Sequence, residues 1–147
     1  MSVRVERTET FDATPEQVWA FISDPENRAS AISVVADYRV DPADPTRCTW
    51  DVELPIPLLS RTATVETHDR IRDPPKLVEF TGRSSVLDVT GRHEIRVTEE
   101  GTELLSRFDV DGRLPGVERY FTRTLDDELD NLRRLAEKSF ENDRADD

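Results

Sequence analysis

Apolar and polar residues alternate along most of this chain, a period of two that marks half-buried β-strands, and helical spacing replaces it in only two places. Val3, Val5 and Phe11 share one parity against Arg4, Glu6, Thr8 and Thr10. Arg7 and Glu9 break the pattern by falling on the apolar parity. A bulge or an exposed strand end is the first expectation there, and the alternative is two inward charges that pair with each other or with a ligand. Farther on, Val34, Ala36, Tyr38 and Val40 form one inward row and Cys48, Trp50, Val52 and Leu54 the next, with the turn DPADPT between them. Ala63, Val65 and Ile71 face in on the following strand, Thr64, Glu66, His68 and Arg70 face out, and Asp73, Pro74 and Pro75 end it. Val78 and Phe80 point inward from a short strand over 76–81, and Gly82 to Ser85 read as a turn. Val89, His93, Ile95 and Val97, then Leu104, Ser106, Phe108 and Val110, complete the rows. Seven strands joined by short turns are expected, and so an antiparallel sheet.

The first helical interruption is double. Thr14 is placed to N-cap a helix that begins at Pro15, with Gln17 completing a capping box and Val18, Trp19, Phe21 and Ile22 forming its apolar face. Asp24, Pro25 and Glu26 then repeat the cap, the fixed first-turn dihedral and the favourable negative charge, so one helix stops and another begins. The second interruption is long. After Leu114, Pro115 and Gly116, apolar residues recur at Val117, Phe121, Leu125, Leu129, Leu132, Leu135, Ala136 and Phe140. About 24 residues of helix would span roughly 36 Å, enough to cross a curved sheet.

This order of elements, with the wording T-P-E-Q-V-W over 14–19 and S-D-P-E over 23–26, resembles the START-like (SRPBCC) superfamily. Within it, the likeness is to polyketide cyclase/dehydrase members and to members similar to an accessory protein of carbon monoxide dehydrogenase. The resemblance implies an α+β helix-grip fold, a curved seven-stranded antiparallel sheet wrapped around a long C-terminal helix. It also implies an apolar tunnel between helix and sheet, and it reports a fold rather than a reaction. Residues 1–141 are expected to form one START-like domain and 142–147 a frayed acidic tail.

Charge narrows the partners. The net charge is -12, with Lys76 and Lys138 the only lysines, and such an acidic, Lys-poor surface looks like that of a halophile's protein, its self-repulsion screened at high salt. Nucleic acid and anionic membrane surfaces are disfavoured, because both need clusters of basic residues to replace counterions. Cys48 is alone, the N-terminus is too polar for a secretory signal, and no apolar run nears the roughly 20 residues of a membrane span, so a cytoplasmic location is expected.

Parity places Tyr38, Trp50, Val52, Val65, Phe80, His93, Ile95, Ser106 and Phe108, and on the helix Val117, Phe121 and Leu125, as candidate ligand-binding residues of the tunnel wall. Plain core packing is the competing reading for the aromatic ones. His93 is the inward imidazole and, with Tyr38, the candidate for proton transfer; Glu9 or Ser106 are its possible orienting partners. Two histidines of opposite parity and one cysteine make no metal-ligand spacing, and five glycines leave little scope for a phosphate loop, so no metal or other cofactor is expected. The apolar turn PIPLL offers Ile56, Leu58 and Leu59 as a flap over the tunnel mouth or as a contact with a homodimer partner or a larger enzyme. The leading functional expectation is a carrier that binds a small hydrophobic ligand, such as a lipid, polyketide-like or isoprenoid compound. The alternatives are an aromatase/cyclase-type enzyme acting through His93 or Tyr38, and an accessory protein docked on a larger enzyme.

Overall fold

A computed structural model of the protein describes residues 2–56 and 59–145. It contains strand β1 (Val3–Phe11), helices α1 (Pro15–Ile22) and α2 (Pro25–Ala31), strands β2 (Val35–Val40), β3 (Arg47–Ile56), β4 (Leu59–Asp73), β5 (Leu77–Arg83), β6 (Leu87–Thr98) and β7 (Gly101–Gly112), and helix α3 (Val117–Ala145). The strands form one antiparallel sheet in the order β1-β7-β6-β5-β4-β3-β2. This is the helix-grip α+β architecture, with all three helices on the face of the sheet that carries the inward rows.

Local chemistry explains the two short helices. The Thr14 hydroxyl accepts from the Gln17 amide while the Gln17 side chain accepts from the Thr14 amide, closing the capping box. Asp24 Oδ1 accepts from the Glu26 amide and opens α2 with Pro25 in its first turn. Val18, Phe21 and Ile22 of α1 are buried, and Phe140 near the end of α3 stacks edge-on against both Phe11 and Phe21. The helices thus share one apolar layer with the sheet.

Arg7 and Glu9 do not sit in a bulge. The β1–β7 register runs unbroken from Val3 opposite Val110 to Phe11 opposite Thr102, so both charges point toward α3. Arg7 pairs with Glu9, Asp126 and Asp130, and Glu9 pairs with Arg133. The inward-paired alternative therefore holds, because acidic and basic partners wait on the facing helix.

Other rows are corrected in the same way. Ala36 is exposed, because the β2–β3 register shifts between Val35 and Asp37. Ile71 is exposed behind a similar shift between Asp69 and Ile71 on β4, while Thr67 and Asp69, of the same parity as Val65, are buried. Gly82 belongs to β5 and not to a turn; a side chain there would meet Val89 Cγ1 at 2.7 Å and Val65 Cγ1 at 3.0 Å. Val97 is 72% exposed, two residues before the 99–100 turn, where the hairpin has left the helical layer. On α3, Leu135 lies off the stripe of Leu125, Leu129, Leu132, Ala136 and Phe140 and faces water. That helix reaches Ala145, taking in 142–145 of the stretch expected to fray. Of the apolar turn, Pro57 and Leu58 lie outside the described residues, so the flap expectation for Ile56, Leu58 and Leu59 has no structural counterpart.

Candidate ligand site between the sheet and the long helix

The seam between α3 and the sheet is packed but not filled. Three voids follow one another along the helix. The first, of about 30 Å³, is wholly apolar and is walled by Trp50, Val52, Val65, Phe108, Phe121 and Leu125, with Ile32, Val34, Val35, Leu87, Val89 and Val110. The second, of about 20 Å³, lies among Arg28, Ala31, Ile32, His93, Phe108, Leu125, Glu128 and Leu132. The third, of about 10 Å³, lies among Arg7, Glu9, Phe11, Leu104, Ser106, Leu129, Leu132, Arg133 and Ala136. Ile32, Phe108 and Leu125 border the first two voids and Leu132 the last two, so the three form one interrupted tunnel. Each has room for a water or so, and a larger guest needs the helix to give way.

Period-two strands and a period-3.6 helix put these side chains together. Trp50, Val52 and Val65 come from neighbouring strands, with Trp50 opposite Val65 in the β3–β4 register. Phe80 is fully buried but stands behind the first void, its ring edge-on to Trp50 at 5.8 Å and to Phe108 at 6.4 Å. Gly91 leaves room for that ring, since a side chain there would come within 2.2 Å of Phe80 Cε1. Ile95 and Val117 are buried without bordering a void, and Val117 packs under Gly112 where the chain turns into α3. Arg113 fixes that approach by bonding to the Ser84 carbonyl and to Asp88, which closes this end of the seam over Val86 and Leu87. Tyr38 stands apart; its hydroxyl accepts from Ser30 Oγ on α2 at 3.2 Å.

His93 lies at the middle void and has no exposed surface. Its Nδ1 is 2.8 Å from Ser106 Oγ, which borders the third void, and its ring stacks on Phe80 and meets Phe108 edge-on. Ser106 is opposite His93 in the β6–β7 register, so this orienting partner follows directly from strand pairing. Burial, helped by the positive charge of Arg28, holds the His93 pKa down at about 3, and the ring is neutral at ordinary pH. His93 Nε2 is buried without a partner, as is Trp50 Nε1 at the first void.

Two functional-looking charges escaped the parity reading. Arg28, on α2, is 3% exposed and bonds to Asp69 of β4, whose other oxygen takes Arg72 at 2.6 Å. Arg28 also donates to the Ile22 carbonyl and lies 4.8 Å above the Phe80 ring. Burial pulls its guanidinium below the ordinary arginine value against the opposing pull of Asp69. Glu128 is the second; its two oxygens accept from the Ser33 amide and hydroxyl. Its signal is visible in the sequence, because Glu128 falls between Leu125 and Leu132 on the helix's inward stripe. Asp69 likewise shares its parity with Ala63 and Val65.

The site's chemistry is that of an apolar slot with one neutral polar point in its middle. Cys48 is buried and its thiol is pushed up by that burial, which makes it a poor nucleophile. Among the described residues no three His, Cys, Asp or Glu side chains are grouped to hold a metal ion, and no helix is long and apolar enough to cross a membrane.

Comparison with known proteins agrees with this geometry. Among solved structures, the chain is similar to the di-domain aromatase/cyclase StfQ of the steffimycin biosynthetic pathway, with a TM-score of 0.73 and 16% identity over 98% of this chain, which spans 52% of that protein. A START superfamily protein from Mycobacterium smegmatis matches with a TM-score of 0.71 and 16% identity, covering 95% of this chain and 97% of that one. The Zhui aromatase/cyclase from Streptomyces sp. R1128 matches with a TM-score of 0.71 and 12% identity, covering 95% and 94%. At such identities the likeness is one of fold. No protein of curated function matches. The family model described as polyketide cyclase/dehydrase and lipid transport matches residues 2–137, nearly the whole chain, and the chain belongs to that family.

Proposed function

We propose that this protein binds and carries a small, mostly apolar molecule in the seam between α3 and the sheet. Family membership supports a ligand-binding or cyclase role, and one observation favours carrying over catalysis. His93, the titratable imidazole at the voids, is held neutral with a pKa of about 3, far from the range in which a general acid or base works well near neutral pH. Tyr38, the other candidate for proton transfer, is turned away to Ser30. What remains facing the voids is chiefly a wall of Trp50, Val65, Phe108, Phe121 and Leu125, a surface that shapes and desolvates a guest.

Native mass spectrometry of the protein, purified gently at high salt and exchanged rapidly into a volatile buffer, tests the reading. A discrete co-purified apolar adduct is expected, and a clean apo mass counts against a carrier. Once a ligand is in hand, His93→Ala separates the two roles. A carrier loses little affinity, whereas an aromatase/cyclase that moves a proton through His93 loses about a hundredfold or more in turnover.

A further inference from the structure

The middle void has one polar atom to spare. Arg28 is engaged at both terminal nitrogens, by the Ile22 carbonyl and by Asp69, and both oxygens of Glu128 are engaged by Ser33. His93 Nδ1 is taken by Ser106, which fixes the ring and leaves Nε2 buried without a partner. Folded proteins rarely leave a buried polar atom unpaired, and an orphan beside a void is where a guest's polar atom gains most. The charges around the void decide what kind of atom that is. Asp69 already neutralises Arg28, and Glu128 adds a carboxylate at the same void. An anionic guest would give up its hydration, find no free cation and face Glu128. A neutral imidazole has no such conflict, since it donates from Nε2 to a ketone in one tautomer and accepts from a hydroxyl in the other.

The geometry points to a ligand that is apolar over most of its length and carries a neutral oxygen, a ketone or hydroxyl, against His93 Nε2, with carboxylates selected against. This rests on the binding role proposed above and makes His93 its specificity-determining residue.

Three probes of one shape test it: naphthalene, 2-naphthol and 2-naphthoate, titrated calorimetrically into the protein at pH 7. The expected order is 2-naphthol first, about three- to tenfold tighter than naphthalene, with 2-naphthoate at least about tenfold weaker than 2-naphthol. In His93→Leu the preference for 2-naphthol over naphthalene disappears while naphthalene still binds, and in His93→Gln, which keeps a neutral hydrogen-bonding group, the preference returns in part. Should His93→Leu fail to fold, the ranking in the unaltered protein decides. Naphthalene or 2-naphthoate binding as tightly as 2-naphthol, or a preference that survives His93→Leu, overturns the assignment and leaves binding in the seam standing. No binding of any probe overturns both.

Discussion

Arg28 and Arg7 both carry a cation to the helix-covered face of the sheet, yet their surroundings divide the site into a fixed wall and a yielding one. Arg28 and Asp69 have side chains only 3% and 1% exposed, tie α2 to β4, and hold Phe80 and His93 in place behind the voids. Arg7 is 23% exposed, and its partner Asp130 on α3 is 61% exposed. Pairs of the second kind are screened by water and salt and contribute little, whereas a buried ion that loses its partner has nothing to replace it. A guest larger than the voids therefore finds its room by displacing α3, held at this end by weak pairs, and not by displacing α2 or β4.

The largest test of this contrast is Asp69→Ala, which strands Arg28 among Phe80, His93 and the Ile22 carbonyl. It should cost about 3–5 kcal/mol in urea unfolding. A cost below about 1 kcal/mol would erase the distinction between the two walls.

Next in size is the pH dependence that His93 brings to the fixed wall. In the unfolded chain its imidazole takes a proton near pH 6.5, and in the folded protein burial delays this to about 3. Between those values the unfolded state binds the proton and the native state does not. Stability is thus complete above about pH 6.5 and falls by about 1.4 kcal/mol for each pH unit below it, until the pH nears 3. His93→Leu should flatten the slope between pH 6.5 and 5 relative to the unaltered protein. Parallel slopes would mean that the ring is protonated in place.

The smallest effect belongs to the yielding wall. Arg7→Ala should change stability by less than about 1 kcal/mol, with a change that shrinks further at high salt, as denaturation in low and high sodium chloride would show. A loss as large as that of Asp69→Ala would make α3 as firmly fixed as α2.

Much of this could be read from the residues alone, and the exceptions share a cause. Period two located Trp50, Val65, His93, Ser106 and Phe108 on one face, and the caps at Thr14 and Asp24 located both short helices, because each is a local rule acting through neighbouring backbone. Strand pairing then set Ser106 across from His93. Ala36 and Ile71 fell on the wrong side because a register shift depends on the partner strand, which local alternation does not report. Arg28 and Glu128 were passed over for another reason. A charge on an inward stripe reads as an error in the pattern until its partner is known, and Asp69 and Ser33 are 41 and 95 residues away. The narrowness of the seam was equally hidden, since void volume depends on how α3 settles on the sheet.

The seam itself is tested most directly by titrating the neutral fluorescent probe N-phenyl-1-naphthylamine into the protein and into Ile32→Trp. Ile32 is half-buried and borders both the first and the middle voids, so a larger ring there blocks the tunnel at its junction with little disturbance elsewhere. Saturable one-to-one binding to the unaltered protein is expected, with at least about tenfold weaker binding to an Ile32→Trp variant that remains folded. Equal binding to both proteins, or none to either, would contradict a ligand seam between α3 and the sheet.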